Sequence, residues 1–204
     1  ERLLIHLHGF ASNVKSTKVK VLRDYLLNTK KYSFFTMDIN YPETTTSQVL
    51  EFMDILIKGF ERRYKSIFLS GSSHGGYIAL NYLRFYNSSA VKGLILFAPS
   101  YSTLSLILSY AGEENCQRWL KGEEELRLYD CDAGIDILIN KDFAKDIIER
   151  GYEIVVGDKV HFPKNPPVDV VVVHGKEDKE VPVSLSRVFT SAVKVKRYLE
   201  LDDD

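Results

Sequence analysis

The chemistry legible in this chain begins at Ser73. Residues 66–77 read Ser-Ile-Phe-Leu-Ser-Gly-Ser-Ser-His-Gly-Gly-Tyr, so Ser73 is the middle of a Gly-x-Ser-x-Gly pattern closed by Gly71 and Gly75. Apolar Ile67, Phe68 and Leu69 predict a buried strand before it, and Tyr77, Ile78, Leu80 and Leu83 predict a helix after it. A serine at such a strand-to-helix turn is held in a strained backbone geometry that needs neighbours without side chains, and its hydroxyl points out of the sheet. That is the placement a nucleophile requires.

A serine hydroxyl attacks only when a base removes its proton, an acid orients that base, and N–H donors meet the developing oxyanion. His74 follows Ser73 at the start of the predicted helix, so its backbone N–H is the first oxyanion donor. His8-Gly9-Phe10 ends an early apolar strand, and the Phe10 N–H is the second. For the acid, Val170 to Val173 run into His174-Gly175-Lys176-Glu177-Asp178. This puts Asp178 on a loop at the carboxyl end of a strand, where ligands meet open α/β sheets, with Glu177 and Glu180 as substitutes.

The base should follow the acid in this architecture, yet His6, His8, His74, His161 and His174 all precede Asp178. His6 reads as a core residue, His8 and His174 as braces of their loops, and His74 as turned away from the nucleophile. His161 violates the expected order. The base is therefore expected on a histidine just after Asp204, in a protein truncated at that end.

The elements needed to position these groups alternate along the chain. Strand patterns at Leu3 to Leu7, Ser33 to Ile39, Ile67 to Leu69, Gly93 to Phe97, Val168 to Val173 and Val195 to Leu201 are separated by helical ones. The clearest helix follows the Thr45/Gln48 capping-box pair, with an apolar stripe at Val49, Phe52, Met53, Leu56 and Phe60. Six strands with helical connections imply a mostly parallel, doubly wound sheet with helices on both faces. The stretch from Ser100 to Pro166 exceeds an ordinary crossover. Residues 101–134 are expected to form a helical lid-like insertion with Trp119 as its anchor, and Phe143 to Arg150 the crossover helix.

With 204 residues, 45% of them hydrophobic, the chain suits a single domain, 1–204. A net charge of −1 gives no footprint for nucleic acid, and no apolar run approaches the roughly 20 residues that span a bilayer. Cys116 and Cys131, without metal-ligand spacing, fit a reducing compartment better than a disulfide, so a cytoplasmic location is expected.

His8-Gly9-Phe10, Gly71-Ser72-Ser73-His74-Gly75-Gly76 and His174-Gly175-x-x-Asp178-x-x-Val181-Pro182 together resemble the α/β-hydrolase superfamily. Ser12, Ser16, Lys18 and Tyr110-Ala111-Gly112-Glu113 are further similar to the small YqiA-like esterases. The resemblance implies an α/β-hydrolase fold and a Ser-His-Asp enzyme without metal or organic cofactor. Such an enzyme cleaves carboxylic esters or thioesters of small to medium acyl substrates through an acyl-enzyme on Ser73. Serine, where some relatives carry cysteine or aspartate, argues against dienelactone hydrolase and haloalkane dehalogenase chemistry. Two alternatives remain: a serine peptidase similar to the prolyl-oligopeptidase relatives, and a non-catalytic binding protein on a hydrolase fold. The residues that follow Asp204 discriminate between enzyme and binding protein.

Overall fold

The computed structural model describes residues 1–86, 88–131 and 134–203. In chain order the elements are β1 (Arg2–Leu7), α1 (Thr17–Thr29), β2 (Ser33–Thr36), α2 (Thr46–Glu61), β3 (Ser66–Ser72), α3 (His74–Phe85) and β4 (Val91–Phe97). There follow α4 (Thr103–Ala111), α5 (Gln117–Leu120), β5 (Leu126–Asp130), β6 (Ile135–Ile139) and α6 (Phe143–Arg150). The chain ends with β7 (Val155–Val156), β8 (Lys159–Val160), β9 (Asp169–Gly175), α7 (Val183–Ala192) and β10 (Arg197–Leu201). The expected boundary at Asp204 lies outside the described residues.

Six strands form one sheet in the order β2-β1-β3-β4-β9-β10, and every neighbouring pair is parallel. The chain steps from β1 outward to β2, then returns past β1 to β3 on its other side. The carboxyl ends of β1 and β3 therefore flank the point where the winding reverses, which opens a crevice between the loops that leave them. His8-Gly9-Phe10 and Ser73 leave the sheet there.

Alternation along the strands divides the two faces. Leu3, Ile5 and Leu7 of β1, Ile67 and Leu69 of β3, Leu94 and Leu96 of β4, and Val170 and Val172 of β9 share a buried core with Val49, Leu50, Met53 and Ile57 of α2. Helices α2, α3 and α6 pack together on that face. Leu4 of β1 and Val19 and Leu26 of α1 are buried outside this cluster. A right-handed crossover stepping the opposite way along the sheet puts α1 on the opposite face. The expected capping box starts α2: the Gln48 N–H donates to Thr45 Oγ1 at 3.2 Å, and the Thr45 N–H donates to Gln48 Oε1 at 2.9 Å.

Two expectations change. β2 stops at Thr36 instead of Ile39: beyond it the Ile39 backbone N–H donates to His8 Nε2, and the Asp38 side chain accepts from the Val14 N–H. The insertion is helical only at first. Beyond α4 and α5 it forms an antiparallel hairpin, β5 with β6, which runs to Ile139. Trp119 anchors the insertion, fully buried, stacked on Phe143 and donating Nε1–H to the Asn140 carbonyl at 2.9 Å. Cys116 is a buried free thiol and Cys131 an exposed one. No helix among the described residues is long and apolar enough to cross a membrane.

Candidate active site

Ser73 links β3 to α3 with φ 50° and ψ −117°, a conformation that L-residues adopt only under constraint, at a cost of about 1–3 kcal/mol. Four backbone hydrogen bonds supply the constraint. The Ser73 N–H donates to the Phe97 carbonyl at 3.0 Å, and the Ser73 carbonyl accepts from the N–H groups of Gly76, Tyr77 and Ser100 at 3.0, 3.2 and 2.9 Å. The flanking glycines are required by space. A Cβ on Gly71 would lie 2.3 Å from the Gly75 backbone, and one on Gly75 would lie 2.1 Å from the Leu7 carbonyl oxygen. The turn can be this tight only because β1, β3 and α3 touch through bare backbone.

The β1 loop is fixed by a histidine with a defined tautomer. The Ile39 N–H can only donate, so His8 Nε2 accepts it, at 2.9 Å. The proton of the neutral ring is then on Nδ1, which donates to the Gly9 carbonyl oxygen at 2.7 Å. No peptide bond among the described residues is cis, and in a trans peptide the carbonyl and the following N–H point opposite ways. Tying the Gly9 carbonyl to His8 and to the Ser12 N–H therefore turns the Phe10 N–H the other way. Gly9 lies against Ser73, since a Cβ built on it would sit 3.6 Å from Ser73 Cβ.

His74 opens α3, so its N–H is among those left without a partner inside the helix. Its ring is buried and occupied elsewhere: Nδ1 shares a 3.0 Å hydrogen bond with Thr103 Oγ1, and the ring stacks on Tyr77 and meets Phe10 and Tyr41 edge-on. Burial, with a smaller contribution from His8, pushes this imidazole down to about 3 and keeps it neutral.

At the end of β9, Asp178 is the acidic residue that turns inward. Glu177 and Glu180 are exposed, whereas the Asp178 side chain is 14% exposed and its Oδ1 accepts from the Glu180 and Val181 N–H groups at 2.9 and 2.8 Å. His174 supports this loop from below. Its Nε2–H donates to the Val181 carbonyl at 2.8 Å, which leaves Nδ1 to accept from Ser186 Oγ at 2.7 Å; Ser186 in turn bonds the Tyr101 hydroxyl at 2.9 Å.

The other histidines stay apart from Ser73. His6 is buried against Ser70 Oγ at 2.7 Å, and burial pushes it down to about 4, with His8 and Lys18 adding to the effect. His161 is exposed beyond the small β7–β8 hairpin, its N–H on the Ile154 carbonyl. Among the described residues, no hydrogen bond joins the Ser73 hydroxyl to a histidine side chain.

Above Ser73 lies a cavity of about 170 Å³ bounded by Phe10, His74, Thr103, Ile107, Tyr110 and Val181. It brings the β1 loop, the Ser73 turn, helix α4 and the Asp178 loop to one place. A larger groove of about 690 Å³ adjoins it, between α4, the β5–β6 hairpin and Lys179-Glu180-Pro182. The lid-like insertion expected over 101–134 covers the α4 residues that wall these spaces, whereas the sequence reading passed over the hairpin. Period-two alternation in Leu126-Arg-Leu-Tyr and Ile135-Asp-Ile-Leu-Ile was the available signal for the hairpin. It also passed over Glu153, whose carboxylate reaches across the fold to accept from the Leu104 and Ser105 N–H groups at the start of α4, at 3.2 and 3.4 Å. Among the described residues, no group of His, Cys, Asp or Glu is arranged to hold a metal ion.

Comparison with known proteins places this architecture. Residues 3–202 match the model of an uncharacterised protein family, UPF0227. A putative hydrolase from Agrobacterium vitis S4 superposes with a TM-score of 0.79 at 20% identity, over 100% of this chain and 80% of the other. Ferulic acid-bound Est1E from Butyrivibrio proteoclasticus gives 0.72 at 18% identity, over 98% and 79%. The mouse alpha/beta hydrolase domain-containing protein 10 gives 0.70 at 18% identity, over 99% and 80%. No curated protein matches the chain. The fold is that of the α/β hydrolases.

Proposed function

The chain belongs to the UPF0227 family, and we propose that it is a serine hydrolase cleaving carboxylic ester or thioester bonds of small to medium acyl substrates. The observation that carries this reading is Ser73 itself. Its strained conformation is over-determined by four backbone bonds at the N-terminus of α3, under an apolar cavity that the Asp178 loop also walls. Strain kept at a cavity floor serves chemistry better than stability.

In the proposed reaction a base accepts the Oγ proton as Ser73 attacks the substrate carbonyl carbon, and the carbonyl π electrons move onto oxygen. The Phe10 and His74 N–H groups, with the positive end of the α3 dipole, hold that oxyanion. Collapse re-forms the carbonyl and expels the alkoxide or thiolate, which takes the proton from the base. Water then repeats the sequence on the acyl-enzyme and regenerates the Ser73 hydroxyl. In this reading Asp178 orients the base. The Asp203 carbonyl accepts from the Glu177 N–H at 3.3 Å and the Leu201 carbonyl from the Lys176 N–H at 2.8 Å, so the exit of β10 runs alongside the residues that precede Asp178.

The experiment is fluorophosphonate labelling and p-nitrophenyl ester turnover by the full-length protein and its Ser73→Ala variant. The variant should lose labelling and about 10⁴- to 10⁶-fold in kcat. Labelling that survives unchanged in Ser73→Ala rules out Ser73 as the nucleophile.

A further inference from the structure

The two spaces beside Ser73 differ about fourfold in volume, near 170 and 690 Å³, and share a wall. Phe10, Leu106, Tyr110, Leu128 and Glu180 border both. Of these, Tyr110 is held by a directed bond that joins two elements of the insertion: its hydroxyl donates to the Tyr129 carbonyl at 2.8 Å, tying α4 to the β5–β6 hairpin. Its ring therefore stands as a strut between cavity and groove.

The chemistry of the Asp178 loop sets which part of a substrate goes where. The leaving group must receive its proton from the base that Asp178 orients, so it lies on the side of the site made by that loop. Lys179, Glu180 and Pro182 of that loop line the large groove. Glu180 and Val181 of the same loop also wall the small cavity, but Ser73 and His74 line that cavity and not the groove, and it runs under α4 towards Ser100, Thr103 and Ile107, so the acyl group that Ser73 takes up lies there. At roughly 30 Å³ for each water-sized group, 170 Å³ admits about six non-hydrogen atoms.

We infer that Tyr110 divides an acyl subsite of about six non-hydrogen atoms from a leaving-group groove for a bulky apolar alcohol or thiol. The substrate class is thus a short-chain acyl ester or thioester of a large apolar partner. This assignment rests on the serine-hydrolase reading above. Apolar walls from Phe10, Leu106, Leu128, Ile137 and Pro182 suit the large group, with Asp130, Lys179 and Glu180 bordering the same groove, while the short acyl chain meets Ile107 and the Tyr110 ring.

The test uses the full-length protein with two substrate series: p-nitrophenyl esters of rising acyl length, and acetate esters of alcohols rising in size to naphthyl. In the wild type, kcat/KM should fall at least tenfold once the acyl group exceeds about six non-hydrogen atoms, and should hold or rise along the alcohol series. Tyr110→Ala, at a residue 63% exposed and so compatible with folding, should move the acyl cut-off to longer chains and raise the long-to-short ratio of kcat/KM at least tenfold. Tyr110→Phe, which keeps the ring, should move it less. Ser73-dependent turnover with a flat acyl profile, or a cut-off unmoved in Tyr110→Ala, overturns the partition and leaves the hydrolase reading standing. Absence of any Ser73-dependent turnover in either series overturns both.

Discussion

Replacing Glu153 by glutamine should stabilise the protein at alkaline pH and do little in acid. The carboxylate receives two backbone N–H groups at the start of α4, an arrangement that favours the charged form, but burial is the larger effect and pushes the carboxyl up from 4.5 to about 7. Because the folded-state value lies above the unfolded one, the folded protein holds this proton more tightly. The cost of ionisation is absent below about pH 4.5, grows as pH rises, and is complete above about pH 7. At about 1.36 kcal/mol per pH unit, the interval from 4.5 to about 7 amounts to about 3 kcal/mol. Glutamine keeps an oxygen for Leu104 or Ser105 and has no proton to lose. Urea unfolding of both proteins at about pH 5, 6, 7 and 8 should give a stability difference that moves in favour of the variant by about 3 kcal/mol over that range. A difference that stays constant within about 0.5 kcal/mol would show that Glu153 does not titrate there. It would refute the claim that burial outweighs the helix N–H donors.

Gly75→Ala should destabilise the fold by about 3 kcal/mol, read from the urea midpoint, because the new methyl would meet the Leu7 carbonyl oxygen at 2.1 Å and α3 must withdraw from β1. His8→Phe keeps a ring beside Tyr41 but frees the Gly9 carbonyl; steady-state kinetics should show a kcat loss of about 10²-fold with a smaller change in KM, as for a lost oxyanion donor. Asp178→Asn should lower kcat by about 10⁴-fold, whereas Glu180→Gln should not, which tests whether the inward-turned carboxyl is the acid.

The sheet was legible because parallel strands covered on both faces are written as short apolar runs, as at Leu3 to Leu7 and Val170 to Val173, and each was followed by a helical period. The Ser73 turn was legible for a different reason: its glycines answer a steric demand that no other residue meets, so the demand leaves a mark in the sequence. The insertion left a weaker mark. Half of each strand in the β5–β6 hairpin faces solvent, so Glu125, Arg127 and Asp136 interrupt the apolar pattern and the segment reads as an acidic loop. Glu153 was illegible for a stronger reason. Its meaning lies in contacts with Leu104 and Ser105, some 50 residues away, and nothing local distinguishes it from a surface glutamate.

The two His-Gly pairs show how the fold makes one device serve twice. His8-Gly9 directly follows β1 and His174-Gly175 ends β9. In each the imidazole uses one nitrogen to donate to a backbone carbonyl of its own loop and the other to accept from a group outside it. His8 donates through Nδ1 to Gly9 and accepts from Ile39; His174 donates through Nε2 to Val181 and accepts from Ser186. The tautomers are opposite, but the logic is shared: only a neutral imidazole offers one donor and one acceptor at a fixed separation. A backbone carbonyl pinned in this way fixes the peptide plane that follows it. At β1 the consequence is the direction of the Phe10 N–H; at β9 it is the course of the loop whose Glu180 and Val181 N–H groups hold Asp178. His8 and His174, read from the sequence as braces of their loops, thus act on the proposed reaction through geometry. The proposed oxyanion donor and the proposed acid both depend on rings whose hydrogen bonds go to groups other than the Ser73 hydroxyl.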